Sequence, residues 1–125
     1  MDYHQDIVAV AKANQNFRTV VSTNAHSQVV VMSLLPGEDI GLEVHQVDQI
    51  LVFVTGRGQA VLNGQTSDIQ ANHLVVVPAG TEHNFVNTGT EPMKLYTVYA
   101  PAEHRDGTVH ATKADAARDE HDEPA

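Results

Sequence analysis

The strongest constraint on this chain is its rhythm: short runs of Val, Ile, Leu and Thr alternate with tight-turn residues from about residue 17 to residue 100. Strands are expected near 17–22, 28–35, 41–45, 49–55, 58–63, 66–70, 73–77, 82–87 and 94–100. Between them, Pro36-Gly37, Gly56-Arg57-Gly58 and Asn63-Gly64 read as sharp reversals, the last suited to a type I′ hairpin. Asn72 tolerates the left-handed conformation, and Pro78-Ala79-Gly80 stops one strand before the next begins. Loops this short leave no room for crossover helices, so the fold class is all-β, a sandwich or barrel of jelly-roll type. Ahead of it, Asp6 to Ala13 predicts a short helix, with Asp6 as the cap, Ile7, Val10 and Ala11 at helical spacing, and Asn14-Gln15-Asn16 as its end.

Composition enters where it excludes something. A chain of 125 residues, 42 % hydrophobic and 18 % charged, closes one core without cross-links. It contains no Cys, which confines any metal to nitrogen and oxygen donors. The expected organisation is an N-terminal helical segment at 1–16, a barrel at 17–101 and a polar, acidic C-terminal tail at 102–125. The tail's Ala-rich, acidic stretch at 113–123 reads as solvated, extended or as a frayed helix, and His104 and His110, flanking Gly107, would reach the barrel only if the tail folded over its mouth. The formal charge is −9, so neither nucleic acid nor a membrane surface is an expected partner. The opening Met1-Asp2-Tyr3-His4-Gln5-Asp6 lacks the basic and apolar regions of a signal peptide, and a cytoplasmic location is expected.

Few of the eight histidines sit where strand geometry and partners converge. Glu43 and His45 are two apart and share a strand face. After a turn at Val47-Asp48, Gln49 comes back beside His45 on the next strand, sharing its face with Leu51 and Phe53. An inward Gln needs a partner, since an unmet amide costs about 1–3 kcal/mol. An inward carboxylate needs a cation more acutely still. His83 opens the strand after Pro78-Ala79-Gly80, on one face with Phe85 and Asn87; alone it reads as a hydrogen-bonded core residue more readily than as a ligand. Tyr99 shares a face with Leu95 and Thr97 on the last strand, either as core or as a catalytic group lining the cavity. The other face of the 49–55 strand, Ile50, Val52 and Val54, is too apolar for water, so both faces are expected to be buried. A second copy of the chain or the N-terminal helix would cover it.

Together these segments resemble the two motifs of the cupin superfamily, G-(x)5-H-x-H-(x)3,4-E-(x)6-G and G-(x)5-P-x-G-(x)2-H-(x)3-N. The chain reads Gly37-(x)5-Glu43-x-His45-(x)3-Gln49-(x)6-Gly56 and Asn72-(x)5-Pro78-x-Gly80-(x)2-His83-(x)3-Asn87, with every spacing kept. The resemblance covers residues 28–100 and is to the small single-domain type-2 cupins, often described as mannose-6-phosphate isomerase-like. It implies a jelly-roll, double-stranded β-helix barrel holding one divalent metal through Glu43, His45, Gln49 and His83. Two ligand positions depart from the family pattern: Glu43 stands for a His and Gln49 for the Glu. The carboxylate has moved and the charge of the set is retained, which argues for a working site. The harder donor set favours Mn or Fe, with Zn or Ni as alternatives; the reading set against a metal is a barrel whose polar interior is bridged by water.

The implied function is a metal-dependent enzyme on a small oxygen-rich substrate (a sugar acid or keto acid), of isomerase, lyase or oxygenase type. The alternative is a non-catalytic small-molecule binding or sensor cupin. A phosphosugar isomerase fits poorly, because only four Lys or Arg precede residue 103 to bind a phosphate. Uronate-type isomerase cupins carry a glutamine among their ligands, which agrees with Gln49. Small cupins commonly pair, so a homodimer is expected.

Overall fold

The structure is a computed structural model that describes residues 2–123. Residues 1, 124 and 125, the outermost parts of the expected terminal segments, lie outside the described residues. In chain order the elements are α1 (Ile7–Ala13), β1 (Arg18–Thr23), β2 (Gln28–Leu34), β3 (Asp48–Phe53), β4 (Arg57–Leu62), β5 (Gln65–Gln70), β6 (Leu74–Val77), β7 (His83–Asn87), β8 (Met93–Ala100), β9 (Val109–His110) and α2 (Lys113–Arg118). Asp6 caps α1 by accepting the Ala9 N–H at 3.1 Å, and Asn14 ends it, as the sequence predicts. Asn63 and Gly64 take φ of 48° and 79°, the two positive values that a type I′ reversal between β4 and β5 demands. Asn72 sits at φ 73°.

Two antiparallel sheets face each other, one in the order β6-β3-β8-β2-β1-β9 and one in the order β5-β4-β7. Alternation along the strands fills the space between them. Val30, Met32 and Leu34 of β2, Leu51 and Phe53 of β3, and Met93 and Leu95 of β8 meet Ala60, Ile69 and Phe85 from the smaller sheet. The rings of Phe53 and Phe85 lie 5.6 Å apart across the gap. At one end the same inward positions turn polar: Gln28, Gln49, Thr97 and His83 are all buried.

Three expectations change. The 41–45 stretch is not a regular strand. Residues 37–43 instead run irregularly along the free edge of β7, where the Gly37 and Ile40 N–H groups bond to the Asn87 and Phe85 carbonyls, and a single antiparallel bridge joins Glu43 to His83. Ile50 on β3 is partly exposed, so that strand is buried on one face rather than two; α1 packs on β8 and β2 and leaves Ile50 uncovered. The 102–112 part of the tail is docked: it forms β9 against β1 and buries His104, Thr108 and His110, while 113–118 forms the short helix α2, none of whose residues is buried.

Candidate functional site

The polar end of the barrel is built by strand register. Glu43 and His83 exchange both backbone hydrogen bonds at 2.9 Å, which puts their side chains on one face as direct cross-strand neighbours. Gln49 is paired with Tyr99 between β3 and β8, so these two also share the inner face. His45 has no strand partner; its carbonyl accepts the Gly80 N–H at 2.8 Å, where Gly80, at φ 84°, makes the turn before β7. The register therefore brings all four expected residues, and Tyr99, to one end of the cavity between the sheets.

Their contacts fix which atoms remain free. The rings of His45 and His83 have centroids 4.9 Å apart, and the His45 ring meets Tyr99 edge-on at 5.7 Å. His83 Nδ1 donates to the Thr81 carbonyl at 2.8 Å, which leaves the lone pair on Nε2. Gln49 Nε2 donates to Thr97 Oγ1 at 3.1 Å and to the Tyr99 hydroxyl at 3.2 Å. Its Oε1 is sealed from solvent and has no hydrogen-bond partner among the described residues. His45, 7 % exposed, stands between two carboxylates: Glu43 Oε2 lies 3.3 Å from Nε2 and Glu103 Oε2 lies 3.3 Å from Nδ1. Burial pulls the His45 pKa down, but the hydrogen bond and charge of Glu103, with the charge of Glu43, outweigh it and hold the imidazole above its ordinary value. Among the described residues no group of three or more His, Asp or Glu side chains is arranged as a metal cluster.

Burial pushes the Tyr99 phenol far up, so the hydroxyl stays protonated near neutral pH and is placed to donate. It lies 3.4 Å from His104 Nε2, and His104 Nδ1 meets Asp122 Oδ2 at 2.7 Å. A hydrogen-bonded series thus runs from Gln49 out to the C-terminal segment. A cavity of about 370 Å³ opens beside it, lined by Arg18, Glu43, Glu103, His104, Lys113 and Asp122 among others. Sequence reasoning missed Arg18 and Glu103. The one available signal for Glu103 was its place just beyond the last barrel strand, at the end where the inward positions turn polar.

Asn87, the final residue of the second motif, has no part in ligation. Its Nδ2 donates to the Leu34 and Glu91 carbonyls at 2.9 Å, and its Oδ1 accepts the Gly89 N–H at 2.9 Å.

Comparison with known proteins gives a consistent picture. The chain is 50 % identical over 119 residues to the uncharacterized protein YrkC of Bacillus subtilis (strain 168), covering 89 % of this chain and 63 % of that protein. It is 36 % identical over 101 residues to the uncharacterized protein L612 of Acanthamoeba polyphaga mimivirus, covering 77 % of this chain and 63 % of the relative. The chain therefore spans less than two thirds of either curated relative's length. The crystal structure of BH2720 from Bacillus halodurans superposes with a TM-score of 0.93 at 40 % identity, over 95 % of this chain and 96 % of that one. A predicted oxalate decarboxylase from Thermotoga maritima superposes with a TM-score of 0.58 at 26 % identity, over 60 % of this chain and 66 % of that one. The family model for the cupin domain matches residues 30–99, more than half of the chain. On that match, and on the two-sheet barrel with its polar end, this chain belongs to the cupin family.

Proposed function

We propose that this cupin binds one divalent metal ion through Glu43, His45, Gln49 and His83, and that it is an enzyme acting on a small oxygen-rich substrate such as a sugar acid or keto acid. The observation that supports the reading is Gln49 Oε1, an amide oxygen buried without a hydrogen-bond partner among the described residues, on a side chain bonded to Tyr99, whose ring meets His45 edge-on at 5.7 Å. Leaving such an atom unmet costs about 1–3 kcal/mol, and a cation meets it. The His83 Nε2 lone pair is a second free donor, fixed by the Thr81 carbonyl on the opposite nitrogen. Oxygen and imidazole donors without thiolate favour Mn²⁺ or Fe²⁺, with Zn²⁺ or Ni²⁺ next.

A bound ion would act as a Lewis acid on a substrate oxygen. The chain's own groups do the rest. Thr97 and Tyr99 hold the Gln49 amide so that its oxygen is the free atom, and Tyr99 stays a phenol that donates. Glu43 and Glu103 line the cavity by which a substrate would approach. The likeness to a predicted oxalate decarboxylase, at 26 % identity, agrees with small-acid chemistry.

Elemental analysis of protein purified without added metal tests the ion, and His83→Ala is expected to lower metal affinity by about 10- to 100-fold. Equal metal content in wild type and variant would remove the site. Turnover on a panel of sugar acids and keto acids tests the enzyme. Tight binding of one of them without turnover would leave a binding module.

A further inference from the structure

Glu103 reaches the site from outside the barrel strands, and the way it is held gives it a role. Beyond β8 the chain is pinned by one buried side chain, Gln28 of β2. Gln28 Oε1 accepts the backbone N–H groups of Glu103 and His104 at 3.2 and 3.0 Å, and its Nε2 donates to the His104 carbonyl at 2.7 Å. Further along, Asp122 holds His104 at 2.7 Å, while His110 lies between Arg18 at 3.1 Å and Asp119 at 2.9 Å. The Glu103 carboxylate is left 3.3 Å from His45 Nδ1.

An imidazole that serves a cation presents a lone pair on one nitrogen and a hydrogen on the other, and the acceptor beside the N–H decides which is which. For His83 the Thr81 carbonyl makes that choice at Nδ1. For His45 there is no carbonyl at Nδ1, and Glu103 stands there instead. Glu43 faces the opposite nitrogen, Nε2, at the same 3.3 Å and by itself would stabilise the hydrogen on the wrong side. A neutral His45 is therefore balanced between two tautomers, only one of which offers Nε2.

We propose that Glu103 is a positioning residue that holds His45 as the Nδ1–H tautomer, so that the Nε2 lone pair faces the same space as that of His83. The inference rests on the metal reading above and deepens it: the segment after the barrel, through one carboxylate, sets how firmly the ion is gripped. Glu103→Gln keeps an acceptor oxygen for the Nδ1–H, whereas Glu103→Ala removes it. Gln28 contacts only the backbone of residue 103, so both variants retain the clamp.

The test uses the full-length chain and Mn²⁺ as the probe. In ¹⁵N-labelled, metal-free protein at a pH alkaline to the imidazole range, long-range ¹H–¹⁵N correlation reads the His45 tautomer, with the ring assigned through a His45→Gln variant. Wild type is expected to show Nδ1–H, Glu103→Ala to shift toward Nε2–H, and Glu103→Gln to lie between. Mn²⁺ affinity is expected to fall about 10- to 100-fold in Glu103→Ala and less in Glu103→Gln. Wild-type uptake of Mn²⁺ with an unchanged tautomer and affinity in Glu103→Ala overturns the role of Glu103 alone. A wild-type protein that takes up no Mn²⁺ overturns the metal reading itself.

Discussion

Asn87 illustrates what a motif residue does when it is not a ligand. It is 1 % exposed, and its three hydrogen bonds tie the end of β7 to the end of β2 and to the 89–91 turn. Asn87→Ala would leave two carbonyls and one N–H unmet, and a loss of roughly 2–4 kcal/mol is expected, read by urea denaturation, with Glu43, His45, Gln49 and His83 untouched. Among single residues the sequence was a good guide wherever spacing carried the information. Glu43, His45, Gln49 and His83 were singled out because strand alternation and motif spacing both selected them; in the fold Glu43 and His45 each neighbour His83, and Gln49 is paired with Tyr99. Glu103 was missed because nothing periodic surrounds it; its position depends on Gln28, 75 residues earlier, through backbone bonds that no residue pattern records.

At the scale of elements, the central strands were legible because alternation has a physical cause, burial on one face. The edges were not. Residues 41–45 alternate like a strand, yet Leu42 and Val44 point to solvent and only Glu43 finds a bridge. The 113–123 stretch was read as solvated because its composition is polar, and α2 buries none of its residues; the stretch before it docks through polar bonds, His104 to Asp122, Thr108 to the Arg105 carbonyl and to Asp122, and His110 to Arg18. That makes its docking sensitive to acid. Burial raises the Asp122 pKa, but the hydrogen bond and charge of His104, with Arg18, outweigh it and hold the carboxyl below its ordinary 3.8. A depressed carboxylate contributes stability that is present above 3.8 and lost as pH falls through the folded-state value. Asp122→Asn is therefore expected to destabilise at neutral pH, by about 1 kcal/mol or less because solvent screens the partly exposed carboxylate, and the gap to wild type to close below pH 3.8, measured by thermal denaturation across pH.

For the whole molecule, two surfaces matter. Among the described residues no helix is long and apolar enough to cross a membrane. On the outer face of the larger sheet, Ile50 is paired with Val76, and Leu74 with Val52, so the exposed side chains of Ile50, Leu74 and Val76 form one apolar patch at the β6 edge. Of this patch the sequence marked only Ile50, as part of an Ile50, Val52 and Val54 face too apolar for water; a second copy of the chain is its proposed cover. Val76→Glu is then expected to weaken self-association at least about tenfold by sedimentation velocity, since it buries an unpaired charge in such an interface. A wild-type monomer at all concentrations would remove that dimer.

The cupin match ends at residue 99, and Glu103 lies beyond it. On the proposed role of Glu103, two proteins could carry the same barrel, letter for letter at the motif, and still differ in their hold on an ion because their chains diverge only after the last strand. Selection acting on that short appendage would adjust occupancy while the barrel stayed fixed. Sorting such proteins by their motifs alone would then group together molecules that keep their ion with those that release it.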